Sequence, residues 1–113
     1  MKAAPFDYAR PDGLDEVLAI LADAGGDGMI IAGGQTLVPM MAMRLARPTR
    51  LVDINKVAEL DAIEAGDDAL RIAAGTRQAR ALGDPEVARK LPLLAKALGF
   101  IGHVQTRNRG TVG

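Results

Sequence analysis

One stretch restricts the folding options of this chain more than any other: Met29-Ile30-Ile31-Ala32-Gly33-Gly34-Gln35-Thr36-Leu37. A short apolar run ends in two glycines, passes through two polar residues and continues into Leu/Met-rich sequence. A run this short, bounded by glycine, predicts a buried strand. The glycines predict a tight turn, and Leu37 to Leu45 predicts a helix, with Pro39 tolerated in its first turn. The neighbours extend the alternation. Pro5 to Pro11 reads as an extended segment. Asp12 is the expected N-cap of a helix with Asp15 and Glu16 in its first turn, where the helix dipole favours negative charge. Leu14, Val17, Leu18 and Leu21 form its apolar stripe, and Gly25-Gly26 ends it. Arg50 to Ile54 reads as a further strand. Strand, helix, strand, helix, strand implies parallel pairing with helices packed on the sheet.

The pattern changes near Asn55-Lys56. Residues 1–56 read as a first α/β lobe and residues 57–113 as the beginning of a second, α+β lobe. Asp61 to Ala65 and Ala69 to Ala74 predict a hairpin around Gly66-Asp67-Asp68. Helical sequence begins near Arg77. Asp84-Pro85 is a cap followed by proline at the first helical position. Leu91-Pro92 interrupts that helix, since a residue before proline is pushed out of the helical region. Leu93, Leu94, Ala97 and Leu98 continue as another helix to Gly99. From Gly102 onward little periodicity is visible.

Composition removes several functions. Fourteen basic and fourteen acidic residues balance to zero net charge over 113 residues. That opposes a general electrostatic nucleic-acid binder. With no cysteine, the chain can hold no disulfide, iron–sulfur cluster or Cys-based zinc site of its own. One histidine does not make a metal site. No run approaches a membrane span, and the Met1-Lys2-Ala3-Ala4-Pro5 start lacks the apolar stretch of a signal peptide, so a cytoplasmic location is expected.

A strand that ends in Ala-Gly-Gly and enters a helix suits an anion. Glycine lets backbone approach a phosphate closely, and N–H groups at a helix start have no intrahelical acceptor. Gln35 and Thr36 add side-chain donors, and Thr36 can cap the helix from Leu37. Local physics leaves a second reading open, a capped strand-to-helix turn with no ligand. The turn is neither a Walker P-loop nor a Gly-x-Gly-x-x-Gly fingerprint. Asp53 reads as a strand-end or turn residue, not as the acidic partner of a dinucleotide fold.

Ile31 through Met41 resembles the first FAD-binding segment of the flavin-binding (medium) subunits of molybdenum hydroxylases, of the carbon monoxide dehydrogenase and xanthine dehydrogenase type. Ile101-Gly102-His103-Val104-Gln105-Thr106-Arg107-Asn108-Arg109-Gly110-Thr111-Val112-Gly113 resembles their second segment. Pro5-Phe6-Asp7-Tyr8 with Pro11, and Glu86-Val87-Ala88 with Leu91-Pro92-Leu93-Leu94, are similar too. The resemblance implies a two-lobe FAD-binding fold of the vanillyl-alcohol oxidase type, α+β overall, with the cofactor between lobes. It implies that Ala32, Gly33, Gly34, Gln35 and Thr36, with Ile31 and Leu37 at the margins, wrap the FAD pyrophosphate. Thr111, Val112 and Gly113 would begin the Thr-x-Gly-Gly segment, and Ile101 would lie near the flavin. The family segment needs another glycine after Gly113, so the chain is expected to be an amino-terminal fragment, its second lobe incomplete. Expected partners are an iron–sulfur small subunit and a molybdopterin large subunit of a hetero-oligomer, with electrons passing from iron–sulfur centres through FAD to an acceptor. The competing reading is a non-catalytic binding or assembly module that keeps the fold without stable flavin.

The remaining residues offer less. His103 is expected to pack or hydrogen-bond beside the second segment, because flavin electron transfer needs no base there. Arg107 and Arg109 could attract phosphate or a partner, or form a solvated pair. Met40, Met41 and Met43 are expected in core or interlobe packing. No nucleophile with a nearby base and no paired catalytic carboxylates are seen.

Overall fold

The computed structural model describes residues 1–113. It divides into two compact units, Met1–Ala58 and Glu59–Gly113.

The first unit holds strands β1 (Asp7–Ala9), β2 (Gly28–Ile31) and β3 (Arg50–Asp53), with helices α1 (Leu14–Ala24) and α2 (Leu37–Ala42). The sheet order is β1-β3-β2 and both pairings are parallel, as the strand–helix alternation requires. Tyr8 pairs with Leu51, which pairs with Met29. Being central, β3 is buried at Leu51, Val52 and Asp53. The position of β2 at the sheet edge corrects one expectation: Met29 and Ile30 are exposed. Val17 of α1 and Val52 are fully enclosed, and Met41, Ala46 and Leu51 form a core cluster with Ile31, Leu37 and Met40 against it.

Two helix limits differ from the sequence reading. The N-cap of α1 is Gly13, with extended backbone and no side-chain cap bond, so Asp12 lies one position too early. Helix α2 stops at Ala42, short of Leu45. Arg44 takes a left-handed φ of 59°, while Leu45 N and Ala46 N both donate to Met40 O. The chain therefore leaves the helix in a wound turn. That turn exposes Met43, against its expected packing role, while Met41 is buried.

In the second unit, β4 (Ile63–Ala65) and β5 (Leu70–Ile72) form the expected antiparallel hairpin, closed by Gly66 N donating to Ala69 O at 2.9 Å. Four helices follow: α3 (Gln78–Gly83), α4 (Pro85–Lys90), α5 (Pro92–Leu98) and α6 (Val104–Arg109). Asp84 Oδ1 accepts from Glu86 N at 2.8 Å and Val87 N at 3.2 Å, a formed N-cap with proline behind it. Ala81, Val87 and Leu98 make the core of these helices, with Thr76 fully buried and its hydroxyl donating to Ala62 O. Helix α6 was not visible as periodicity because none of its side chains is buried. No helix of the chain is long and apolar enough to cross a membrane.

Candidate functional site

The glycine turn joins β2 to α2 within the first unit. Gly34 has φ +71°, a conformation that side chains resist. A Cβ placed there would lie 3.1 Å from Val38 Cγ2 and 3.4 Å from Ile31 Cδ1. The turn thus favours glycine chiefly by its dihedral. Gly34 O accepts from Val38 N at 3.0 Å, and Thr36 O accepts from Met40 N at 3.2 Å, so the carbonyls are drawn into the start of α2. The N–H groups of Gly33, Gly34, Gln35, Thr36 and Leu37 meet no protein acceptor. Ile31 to Gly34 and Leu37 are half-buried, while Gln35 and Thr36 are exposed. Backbone donors left unpaired in a glycine turn are groups that an anion can accept from.

The side chains of the turn behave differently from expectation. Thr36 occupies the N-cap position of α2 without a side-chain cap bond. Gln35 Nε2 folds back onto Gly33 O at 3.2 Å. With only six residues in α2, the donors come from the loop itself more than from a long helix dipole.

Beside the turn lies the carboxylate of Asp53, which the sequence reads as a strand-end or turn residue and which the structure shows in both roles. Asp53 Oδ2 accepts from the Tyr8 hydroxyl at 2.5 Å and pairs with Arg10 Nε at 3.5 Å. Its Oδ1 accepts from Asn55 N at 2.9 Å and from Asn55 Nδ2 at 2.6 Å. Asn55 Nδ2 also donates to Ala32 O at 2.9 Å. Burial pushes the Asp53 carboxyl upward, but the Tyr8 hydroxyl, the two Asn55 donors and Arg10 outweigh it and hold the group below its ordinary value. The same bond to Asp53, helped by burial and the carboxylate charge, raises the Tyr8 hydroxyl above its ordinary value. The legible signal was the Asp53-x-Asn55 spacing, since aspartate commonly binds the backbone N–H two residues on.

The second glycine-rich segment lies in the second unit. Arg77 and Thr111 form an antiparallel bridge. Val112 N donates to Thr76 O at 2.9 Å, Gly113 N to Ala74 O at 3.0 Å, and Gln78 N to Gly110 O at 2.9 Å. Gln78 Nε2 holds Thr111 O at 3.1 Å. The N–H groups of Val112 and Gly113 are therefore engaged within the unit, while Thr111 N has no such partner. Ile101 is 39% exposed. His103 is exposed and starts α6 with its carbonyl, which accepts from Arg107 N at 3.1 Å. Arg107 is half-buried and bonded to the loop before it. Its Nη1 gathers Ile101 O at 3.0 Å, Gly102 O at 3.2 Å and Gly99 O at 3.4 Å, which fixes the loop into α6.

Known proteins share the sequence pattern and the fold of this chain. The family described as "FAD binding domain in molybdopterin dehydrogenase" matches residues 4–113. The chain is 45% identical over its full length to the 6-hydroxypseudooxynicotine dehydrogenase complex subunit alpha of Paenarthrobacter nicotinovorans, covering 38% of that protein. It is 41% identical to the carbon monoxide dehydrogenase medium chain of Hydrogenophaga pseudoflava, over 96% of this chain and 38% of that one. The solved carbon monoxide dehydrogenase from Hydrogenophaga pseudoflava superposes with TM-score 0.97 at 40% identity, over 100% of this chain and 39% of that one. The chain thus spans well under half the length of these relatives.

Proposed function

The chain belongs to the FAD-binding domain family of molybdopterin dehydrogenases, and from that premise we propose that Ala32 to Thr36, flanked by Ile31 and Leu37, holds the FAD pyrophosphate. The observation that carries the proposal is the row of N–H groups from Gly33 to Leu37 with no protein acceptor, beside a Gly34 conformation that keeps the backbone bare. Ionised phosphate oxygens are suitable acceptors for such a row. In the second unit, Thr111 is the residue of Thr111-Val112-Gly113 whose N–H remains available to the cofactor, and Ile101 supplies exposed apolar surface suited to a ring. Val112 and Gly113 hold the segment in place by pairing with Thr76 and Ala74.

We read the two units, Met1–Ala58 and Glu59–Gly113, as lobes of a flavin-binding fold of the vanillyl-alcohol oxidase type, their boundary two residues beyond the one expected after residue 56. When bound, FAD supplies one- and two-electron exchange, and the protein supplies binding, orientation and electrostatics. The complete protein is a flavin-containing oxidoreductase subunit of a molybdenum hydroxylase. It takes electrons from iron–sulfur centres of a small subunit, beside a molybdopterin large subunit, and delivers them to an acceptor. The names of relatives as a complex subunit and a medium chain support this assembly, as does a chain without cysteine.

A second reading has one observation in its favour. With Val112 N and Gly113 N engaged, the second segment offers few donors, as a binding or assembly module without stable flavin would. The two readings separate when the chain is mixed with FAD and passed through gel filtration. Flavin absorbance co-eluting at one equivalent supports the cofactor site. Folded protein eluting without flavin refutes cofactor binding by this chain.

A further inference from the structure

The glycine turn does not set its own direction. Ala32 O, the last carbonyl before Gly33, accepts from Asn55 Nδ2 at 2.9 Å. Asn55 is itself held twice by Asp53 Oδ1, through its backbone N at 2.9 Å and its Nδ2 at 2.6 Å. Asp53 is buried at the end of the central strand β3 and is held on its other oxygen by Tyr8 and Arg10. A chain of bonds thus runs from the core of the sheet to one peptide plane of the turn. In a trans peptide the C=O and the following N–H point in opposite directions. Drawing Ala32 O toward Asn55 therefore aims Gly33 N–H away from Asn55.

Charge is managed by the same groups. A bare carboxylate near a phosphate site would repel the ligand. The oxygens of Asp53 are instead covered by Tyr8, Arg10 and Asn55.

We propose that Asp53 and Asn55 are a positioning pair that orients the Ala32–Gly33 peptide for a dinucleotide pyrophosphate. The ligand identity rests on the reading of Ala32 to Thr36 given above, whereas the orientation of the peptide does not. Neither residue touches the ligand, and both act through the turn.

The test uses the full chain and its Asn55→Ala and Asn55→Asp variants, with Lys56→Ala as a neighbouring control at an exposed ion pair to Asp12. Affinities for FAD and for riboflavin, which lacks phosphate, are measured by fluorescence, and amide resonances are recorded without ligand. Loss of one positioning hydrogen bond predicts FAD binding weaker by roughly tenfold in Asn55→Ala, more in Asn55→Asp, with riboflavin changed less than about twofold. The amide resonances of Gly33 and Gly34 shift while those of Leu51 and Val52 stay. Equal losses for FAD and riboflavin would reduce the pair to general structure and overturn the proposal. Unchanged Gly33 and Gly34 resonances would overturn it whether or not flavin binds. A parent chain that binds no FAD, with those resonances moving in the variants, refutes the pyrophosphate assignment and leaves the positioning pair standing.

Discussion

Replacing Gly34 with alanine tests the turn at the point where its backbone is least forgiving. At φ +71° a residue with a Cβ costs roughly 1–2 kcal/mol relative to glycine. The new methyl would stand 3.1 Å from Val38 Cγ2 and 3.4 Å from Ile31 Cδ1. Ile31 ends β2 at an ordinary contact distance, and Val38, exposed in the first turn of α2, need yield only slightly. The dihedral cost therefore dominates. For a domain of about 100 residues, 1 kcal/mol shifts the unfolding midpoint by roughly 4–8 °C. Thermal unfolding followed by circular dichroism should show a midpoint lower by roughly 4–16 °C. Flavin retained after gel filtration should fall as well, because the N–H groups of Gly33 to Leu37 depend on the same turn. Gly83→Ala is the control of opposite sign. It has open space around its Cβ position and lies at the end of α3, so the change should be neutral or stabilising by up to about 1 kcal/mol. A Gly34→Ala protein that melts with the parent would refute the strain argument. One that melts lower yet retains full flavin would refute the role of the turn in binding.

Three further outcomes are expected. A Cβ at Gly75 would lie 2.7 Å from Leu60 O, so Gly75→Ala should cost about 1–3 kcal/mol in urea unfolding, and a parent-like transition would count against it. Asp84→Ala removes the cap bonds to Glu86 N and Val87 N and should cost about 1 kcal/mol, with Asp84→Asn recovering most of it. The depressed Asp53 carboxyl favours folding wherever it is ionised. Its contribution is present above the ordinary aspartate value of about 3.9 and is lost as pH falls from there through the lower folded value. Acid titrations of stability should therefore be shallower below about pH 4 for Asp53→Asn than for the parent, and superimposable acid limbs would show that Asp53 does not contribute.

The sequence by itself determined what depends on neighbours in the chain. The alternation up to Arg50–Asp53, the hairpin at Gly66, the Asp84-Pro85 cap and the Leu91-Pro92 break are each encoded within a few residues, through caps, φ preferences and apolar spacing. The glycine turn was legible for the same reason, and two spaced glycine segments pointed to the family. Only the tertiary structure decided which strand is central. Met29 and Ile30 are as apolar as Leu51 and Val52, yet the order β1-β3-β2 buries the latter pair and exposes the former. Periodicity could not show α6, because its hold comes from loop carbonyls gathered by Arg107 and from the pairing of Gly110 with Gln78. The bonds linking Tyr8, Asp53, Asn55 and Ala32 join residues up to 45 positions apart. Such contacts exist only once parallel strands bring chain-distant residues to the same end of the sheet, which is why the support beside the turn was hidden while the turn itself was plain.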